Sequence, residues 1–223
     1  MFKPRHRLLA LLLLLWAVLC CGNPALAGPQ EKELLDAAAN DNGRHVMVLM
    51  LRGADPNVRN ERRQTPLHLA LKNDADSAVK SLLQYPGLDV NGINQDGETP
   101  LMLAAIKGRL DWVQALVRRG AEINDAGWNP LHYAASGPNP AVVSWLLGQG
   151  AQVDAPSPNG TTALMMAAGY GQIDSVTLLL KAGAVATLRN EKGLDAADFA
   201  LRAGRDDLAE RLRKGGSSSD KRR

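Results

Sequence analysis

Thr65-Pro66-Leu67-His68-Leu69-Ala70 comes back four more times. It returns as Thr99-Pro100-Leu101-Met102-Leu103-Ala104, Asn129-Pro130-Leu131-His132-Tyr133-Ala134 and Thr162-Ala163-Leu164-Met165-Met166-Ala167, then as a worn copy, Asp195-Ala196-Ala197-Asp198-Phe199-Ala200. The steps are 34, 30, 33 and 33 residues. A second motif lies between the copies: Gly53-Ala54-Asp55-Pro56-Asn57, Gly120-Ala121-Glu122-Ile123-Asn124, Gly150-Ala151-Gln152-Val153-Asp154 and Gly183-Ala184-Val185-Ala186. Self-similarity at a fixed period is the signature of a stacked repeat array.

The residue types explain the motif. Thr65, Thr99, Asn129, Thr162 and Asp195 carry a side-chain oxygen that takes an unpaired helix N–H. Pro66, Pro100 and Pro130 follow at the first helical position, where a missing N–H costs nothing. A first short helix is expected to run to about residue 73 in its copy. A second apolar stripe then appears: Val79, Leu82 and Leu83; Trp112, Val113, Leu116 and Val117; Val142, Val143, Leu146 and Leu147; Val176, Leu179 and Leu180. Spacing of three and four residues marks one buried helix face. Gly53, Gly120, Gly150 and Gly183 stand where a helix ends in a left-handed residue.

Both motifs, in phase, resemble the ankyrin repeat, over roughly residues 31–212. The resemblance implies an all-α repeat solenoid of helix–turn–helix units joined by β-turn fingers. Six repeats are expected: 31–59, 60–93, 94–124, 125–156, 157–189 and 190–212, with the two outermost as caps. Glu33, Asp36, Asp41, Asn42 and Arg44 would solvate the first cap, and Arg202, Arg205, Asp206, Asp207, Glu210 and Arg211 the last. Residues 213–223 are expected to form a disordered charged tail.

Residues 1–27 read as a signal peptide. Lys3, Arg5 and Arg7 precede the apolar run Leu8–Leu19, and Ala25-Leu26-Ala27 offers a cleavage site. The apolar stretch Leu8–Cys21 is 14 residues long, and spanning hydrocarbon takes about 20. The mature chain would be Gly28–Arg223, periplasmic or secreted, with a retained anchor as the alternative. The chain holds 26 basic and 23 acidic groups, and the three surplus charges all fall in that segment. The remainder nets zero, so it carries no basic footprint for nucleic acid. Cys20 and Cys21 also fall there. The rest can form no disulfide, cysteine-ligated zinc site or thiol nucleophile.

Catalytic, cofactor and metal sites are not expected. No two histidines share a helical turn, and no phosphate-binding loop or nucleophile elbow appears. His68 and His132 sit at the motif's fourth position, where the resemblance implies a tie to the neighbouring loop backbone. His45 stands without a companion. Asp55, Asp89, Asp125 and Asp154 recur at the finger bases as turn formers.

What remains is a binding surface. The resemblance implies a concave groove that takes another protein, with the chain itself a monomer. Its variable positions map to Glu61, Arg62, Gln64, Lys72 and Asn73; Gln95, Asp96, Glu98, Ile106 and Lys107; Trp128 and Ser136; and Asn159, Thr161 and Tyr170. Trp128 and Tyr170 stand out because aromatics carry much binding energy. Trp112, Trp145 and Tyr133 read as core. An inhibitor or immunity partner of a toxic enzyme would use the same groove. Three irregularities bear on specificity. Only Asp125–Trp128 join Asn124 to Asn129, so the fourth finger is clipped and leaves a notch beside Trp128. Arg63 occupies the finger position of Gly97, Gly127, Gly160 and Gly193, which predicts a strained turn. Ser136-Gly137-Pro138-Asn139-Pro140 should stiffen one inter-helix loop.

Overall fold

A computed structural model describes residues 28–219. The expected signal segment, residues 1–27, lies outside the described residues. Each motif copy becomes a helix beginning at its second residue, because the first caps it. Thr65 accepts from the His68 amide (3.4 Å), Thr99 from Met102 (3.3 Å), Asn129 from Leu131 and His132 (3.0 and 3.3 Å), Thr162 from Met165 (3.4 Å) and Asp195 from Asp198 (3.0 Å). The result is twelve helices among the described residues, in six antiparallel pairs. They are α1 Pro29–Ala39 and α2 Gly43–Leu51; α3 Pro66–Lys72 and α4 Asp76–Leu83; α5 Pro100–Ile106 and α6 Leu110–Arg118; α7 Pro130–Ser136 and α8 Pro140–Gly148; α9 Ala163–Tyr170 and α10 Ile173–Lys181; α11 Ala196–Arg202 and α12 Asp206–Ser219.

First helices α1, α3, α5, α7, α9 and α11 pack in series as one layer. In the second layer α2 lies on α4, α6 on α8 and α8 on α10. The core runs unbroken between the layers. Leu67, Leu101, Leu131 and Leu164, the third residue of each good copy, are at most 1 % exposed. Burying one such leucine is worth about 1.5–3 kcal/mol. No pair could supply this alone, so stability is shared between neighbours. Gly53, Gly120, Gly150 and Gly183 end the second helices with φ between +87 and +95°, as expected. At Gly171 the reason for glycine is space: a Cβ would lie 1.9 Å from the Ala135 carbonyl of the preceding repeat.

Polar ties stitch the stack. Asn57, Asn91 and Asn124 each bridge to the next repeat, donating Nδ2 to the carbonyls of Gly87, Gly120 and Gly150 (2.8–3.0 Å) and accepting from the amides of Asp89, Glu122 and Gln152 (2.8–3.0 Å). Asp154 keeps only the accepting half, from Val185 N (3.1 Å). Asp41, expected on the solvated cap, caps α4 through the amides of Ser77 and Ala78 (2.7 and 3.0 Å). Arg205, expected to face outward, donates to the Gly171 carbonyl (2.8 Å) and closes the end of α9. Trp112 is core as expected, with its indole N–H on Asp76 (3.0 Å) and Arg109 stacked 3.9 Å over its ring.

Two expectations need correction. Leu180 is 41 % exposed, because α12 does not cover α10 as α10 covers α8. The last helix passes the expected boundary at 212: Lys214 pairs with Glu210 one turn back (2.6 Å), and Arg213 approaches Asp198. Residues 220–223 lie outside the described residues.

Candidate functional site: the groove between fingers and first helices

Four fingers share one turn. Asn60 and Gln64, Asn94 and Glu98, Ser157 and Thr161, and Asn190 and Leu194 close it with an N–H···O=C bond of 2.9–3.1 Å. Within each, the side chain of the first residue also accepts backbone amides. Arg63 takes φ +57° there, where Gly97, Gly160 and Gly193 take +71 to +78°. Adjacent fingers then pair: Gln95 N donates to Arg62 O (2.9 Å) and Glu191 N to Asn159 O (3.0 Å). The fourth finger makes neither kind of bond among the described residues. The clipped loop thus separates a pair of linked fingers on each side of it.

The notch opens into a cavity of about 580 Å³ on the C-terminal side of Trp128. Its finger wall is Trp128, Asn159, Thr161, Asn190, Lys192 and Leu194. Its floor and far wall are Met166, Gly169, Tyr170, Phe199, Arg202 and Ala203, from α9, α11 and the residue after it. Fingers and first helices therefore share one concave face. Trp128 is half-buried, edge-on to the His132 ring at 5.2 Å, so it packs on its own repeat and also walls the cavity. Tyr170 is 66 % exposed.

Among the residues nominated from sequence, Trp128, Asn159, Thr161 and Tyr170 meet here. Thr161 is only 2 % exposed and Gln64 only 5 %, so neither offers a free side chain. Gln64 accepts from Asn60 Nδ2 (3.1 Å), and the Thr161 hydroxyl lies under Asn190 (3.4 Å). Ser136 is half-buried and returns its hydroxyl to the His132 carbonyl (3.0 Å). Asn73 holds the Ala39 carbonyl of the first repeat (3.0 Å), and Lys107 pairs with Asp74. Glu61, Arg62, Lys72, Gln95 and Asp96 remain exposed on the N-terminal half, with half-buried Glu98 and Ile106 beside them.

Both motif histidines are ties, as the resemblance implied. Each Nε2 faces a carbonyl, Glu98 O at 3.2 Å and Thr161 O at 3.0 Å, and a carbonyl can only accept. In His68 the proton therefore sits on Nε2, leaving Nδ1 to accept the Thr65 amide (3.2 Å); in His132 the Asn129 amide lies 3.3 Å and the Asn129 Oδ1 2.9 Å from Nδ1. Burial holds both imidazoles below their usual 6.5. Met102 and Met165 fill the same place, where sulfur accepts the cap amide but cannot donate onward. The tie thus joins repeat two to three and four to five. Half-buried Tyr133 sends its hydroxyl toward Glu98 (3.4 Å); burial first, then that carboxylate, pushes its pKa up to about 12.

His45 has a companion after all: its Nε2 lies 2.8 Å from Glu33. Asp55 and Asp89 form the expected turns, accepting the amides two residues on (both 2.9 Å). Asp125 does not. Its Oδ2 is buried without a partner, and burial first, then Glu122 beside it, raises its pKa above 3.8. The shortened loop leaves this carboxylate no amide to cap. No group of three or more His, Cys, Asp or Glu side chains converges as a metal site among the described residues. No described helix is long and apolar enough to cross a membrane.

Eight cavity residues escaped the sequence reading: Met166, Gly169, Asn190, Lys192, Leu194, Phe199, Arg202 and Ala203. Lys192 stands three residues before its cap, as Arg62, Asp96 and Asn159 do. Arg202 stands seven after its cap, as Lys72, Ile106 and Ser136 do. Carrying the same register into the worn last copy would have found both. Treating that copy as a cap placed Arg202 on the outer face.

Comparison with known proteins agrees with this architecture. The family model described as "Ankyrin repeats (3 copies)" matches residues 34–126, 71–157, 113–190 and 131–222. The rat ankyrin repeat and SAM domain-containing protein 6 is 32 % identical over 172 residues, 74 % of this chain and 19 % of that protein. The mouse B-cell lymphoma 3 protein homolog is 32 % identical over 152 residues, 65 % of this chain and 34 % of its own length. The Drosophila melanogaster tyrosine-protein kinase Shark is 31 % identical over 184 residues, 78 % of this chain and 19 % of that protein. The chain thus spans a fifth to a third of these relatives. Ankyrin repeats are in general protein–protein interaction modules. A repeating capped helix pair, left-handed helix ends, linked fingers and the family match together place this chain in the ankyrin-repeat family.

Proposed function

We propose that this chain is an exported binding module that engages another protein through its concave groove, centred on the C-terminal half. The cavity beside Trp128 carries the reading. Folding has left Tyr170 two-thirds exposed at its rim, and Trp128 and Phe199 half-exposed. Aromatics held this way on a rigid scaffold lose little freedom on binding. Export rests on the sequence of residues 1–27, and the compartment is periplasmic or extracellular.

Mature protein used as bait in a crosslink-and-capture from the cell envelope tests the binding reading, with the Trp128→Ala, Tyr170→Ala double variant beside it. A partner recovered by the wild type and lost by the variant is expected. Equal recovery would place the contact elsewhere. Mass spectrometry of the secreted or periplasmic fraction tests export: the expected N-terminus is Gly28, and a chain retaining Met1 would contradict it.

A further inference from the structure

We propose that the cavity takes an apolar side chain from an extended, acidic segment of the partner. This rests on the groove being the binding face and adds which part of it selects, and for what. Trp128, Met166, Tyr170 and Phe199 give the cavity apolar walls, and about 580 Å³ exceeds what one large side chain needs. Pockets that hold small organic groups run from about 300 to 1,000 Å³.

Charge names the rest of the occupant. Lys192 and Arg202 stand on two sides of the cavity, both exposed, and neither pairs with an acid among the described residues. No carboxylate lines the cavity. Of the nearby acids, Asp195 meets Arg189, Asp198 meets Arg189 and Arg213, and the exposed Glu191 is not part of the cavity lining. The N-terminal half differs. There Lys107 is matched by Asp74, and the exposed cations Arg62, Arg63 and Lys72 are mixed with the acids Glu61, Asp96 and Glu98. Two free cations around an aromatic socket complement a hydrophobic anchor flanked by Asp or Glu. This chain's own ends do not fit, since residues 1–27 hold Lys3, Arg5 and Arg7 and no acid, and residues 220–223 hold Lys221, Arg222 and Arg223 against Asp220.

A phage-displayed library of random 12-residue peptides, panned on the mature chain, tests this. Enriched peptides should carry one aromatic or large aliphatic residue with acidic neighbours. Synthetic copies should weaken at least tenfold on the Lys192→Glu, Arg202→Glu chain and on Tyr170→Ala, weaken as salt rises, and keep their affinity on Arg62→Glu. Neutral or basic enriched peptides, or none, would overturn the acidic-segment proposal while leaving the groove reading to the capture experiment. Peptides lost on Arg62→Glu but kept on the double reversal would move the site along the groove. Peptides indifferent to every variant would sink both readings. Phenylacetate saturating the cavity as tightly as the peptides would reassign it to a small aromatic acid. Circular dichroism of each variant separates lost binding from lost fold.

Discussion

At Arg63 the backbone sits at φ +57°, a region that costs an L-residue about 1–2 kcal/mol. Glycine removes that cost and returns part of it as unfolded-state entropy. Arg63→Gly should therefore gain about 0.5–1 kcal/mol, read as a higher urea midpoint at unchanged slope. The motif histidines set a pH dependence. The unfolded imidazoles take up protons near 6.5 while the folded ones hold out to lower pH. In that window the unfolded chain binds more protons, so stability falls as pH drops. The loss should set in as pH falls through about 6.5, where the unfolded imidazoles begin to charge and the folded ones do not. The His68→Met, His132→Met chain, which borrows the residue of the alternate repeats, should lose most of that dependence in urea melts. Asp125 acts with the opposite sign: its raised folded pKa means stability is gained as pH falls, in a window opening above 3.8. Asp125→Asn isolates the imidazole effect.

The finger is the element that varies most. Four of them fold as a closed turn, and two neighbouring pairs are bonded edge to edge. The clipped fourth makes neither of these backbone bonds among the described residues, and it brings Trp128 to the edge of the cavity between the fifth and sixth repeats. Replacing Asp125–Trp128 with a full-length finger carrying the Asn94–Gly97 turn should add backbone bonds on both sides and raise the thermal midpoint. It should also narrow the cavity and cut partner affinity at least tenfold, measured by titration calorimetry against the captured partner. Undiminished affinity would remove the notch from the account.

For the whole molecule, local chemistry was legible because it repeats. The capping residues, the first-position prolines, the left-handed glycines and the strained Arg63 each follow from one residue's own stereochemistry, and each is found where the sequence put it. The notch was legible by counting residues. Most of what escaped depends on neighbours 29 to 38 positions away. Gln64 folds onto Asn60 of its own finger, Thr161 lies under Asn190 of the next, Asp41 and Arg205 reach into adjacent repeats, and Asp125 loses its turn because its loop is short. Lys192 and Arg202 looked like ordinary surface charges until the stack set them around one cavity. All of this serves the claim that the concave C-terminal half is the binding face. The most direct test installs benzoylphenylalanine in place of Tyr170, and separately in place of the exposed Ser144 on α8, in the cell that makes the protein. Irradiation should give one discrete protein adduct from position 170 and none from position 144. An adduct from position 144 with none from 170 would contradict the account.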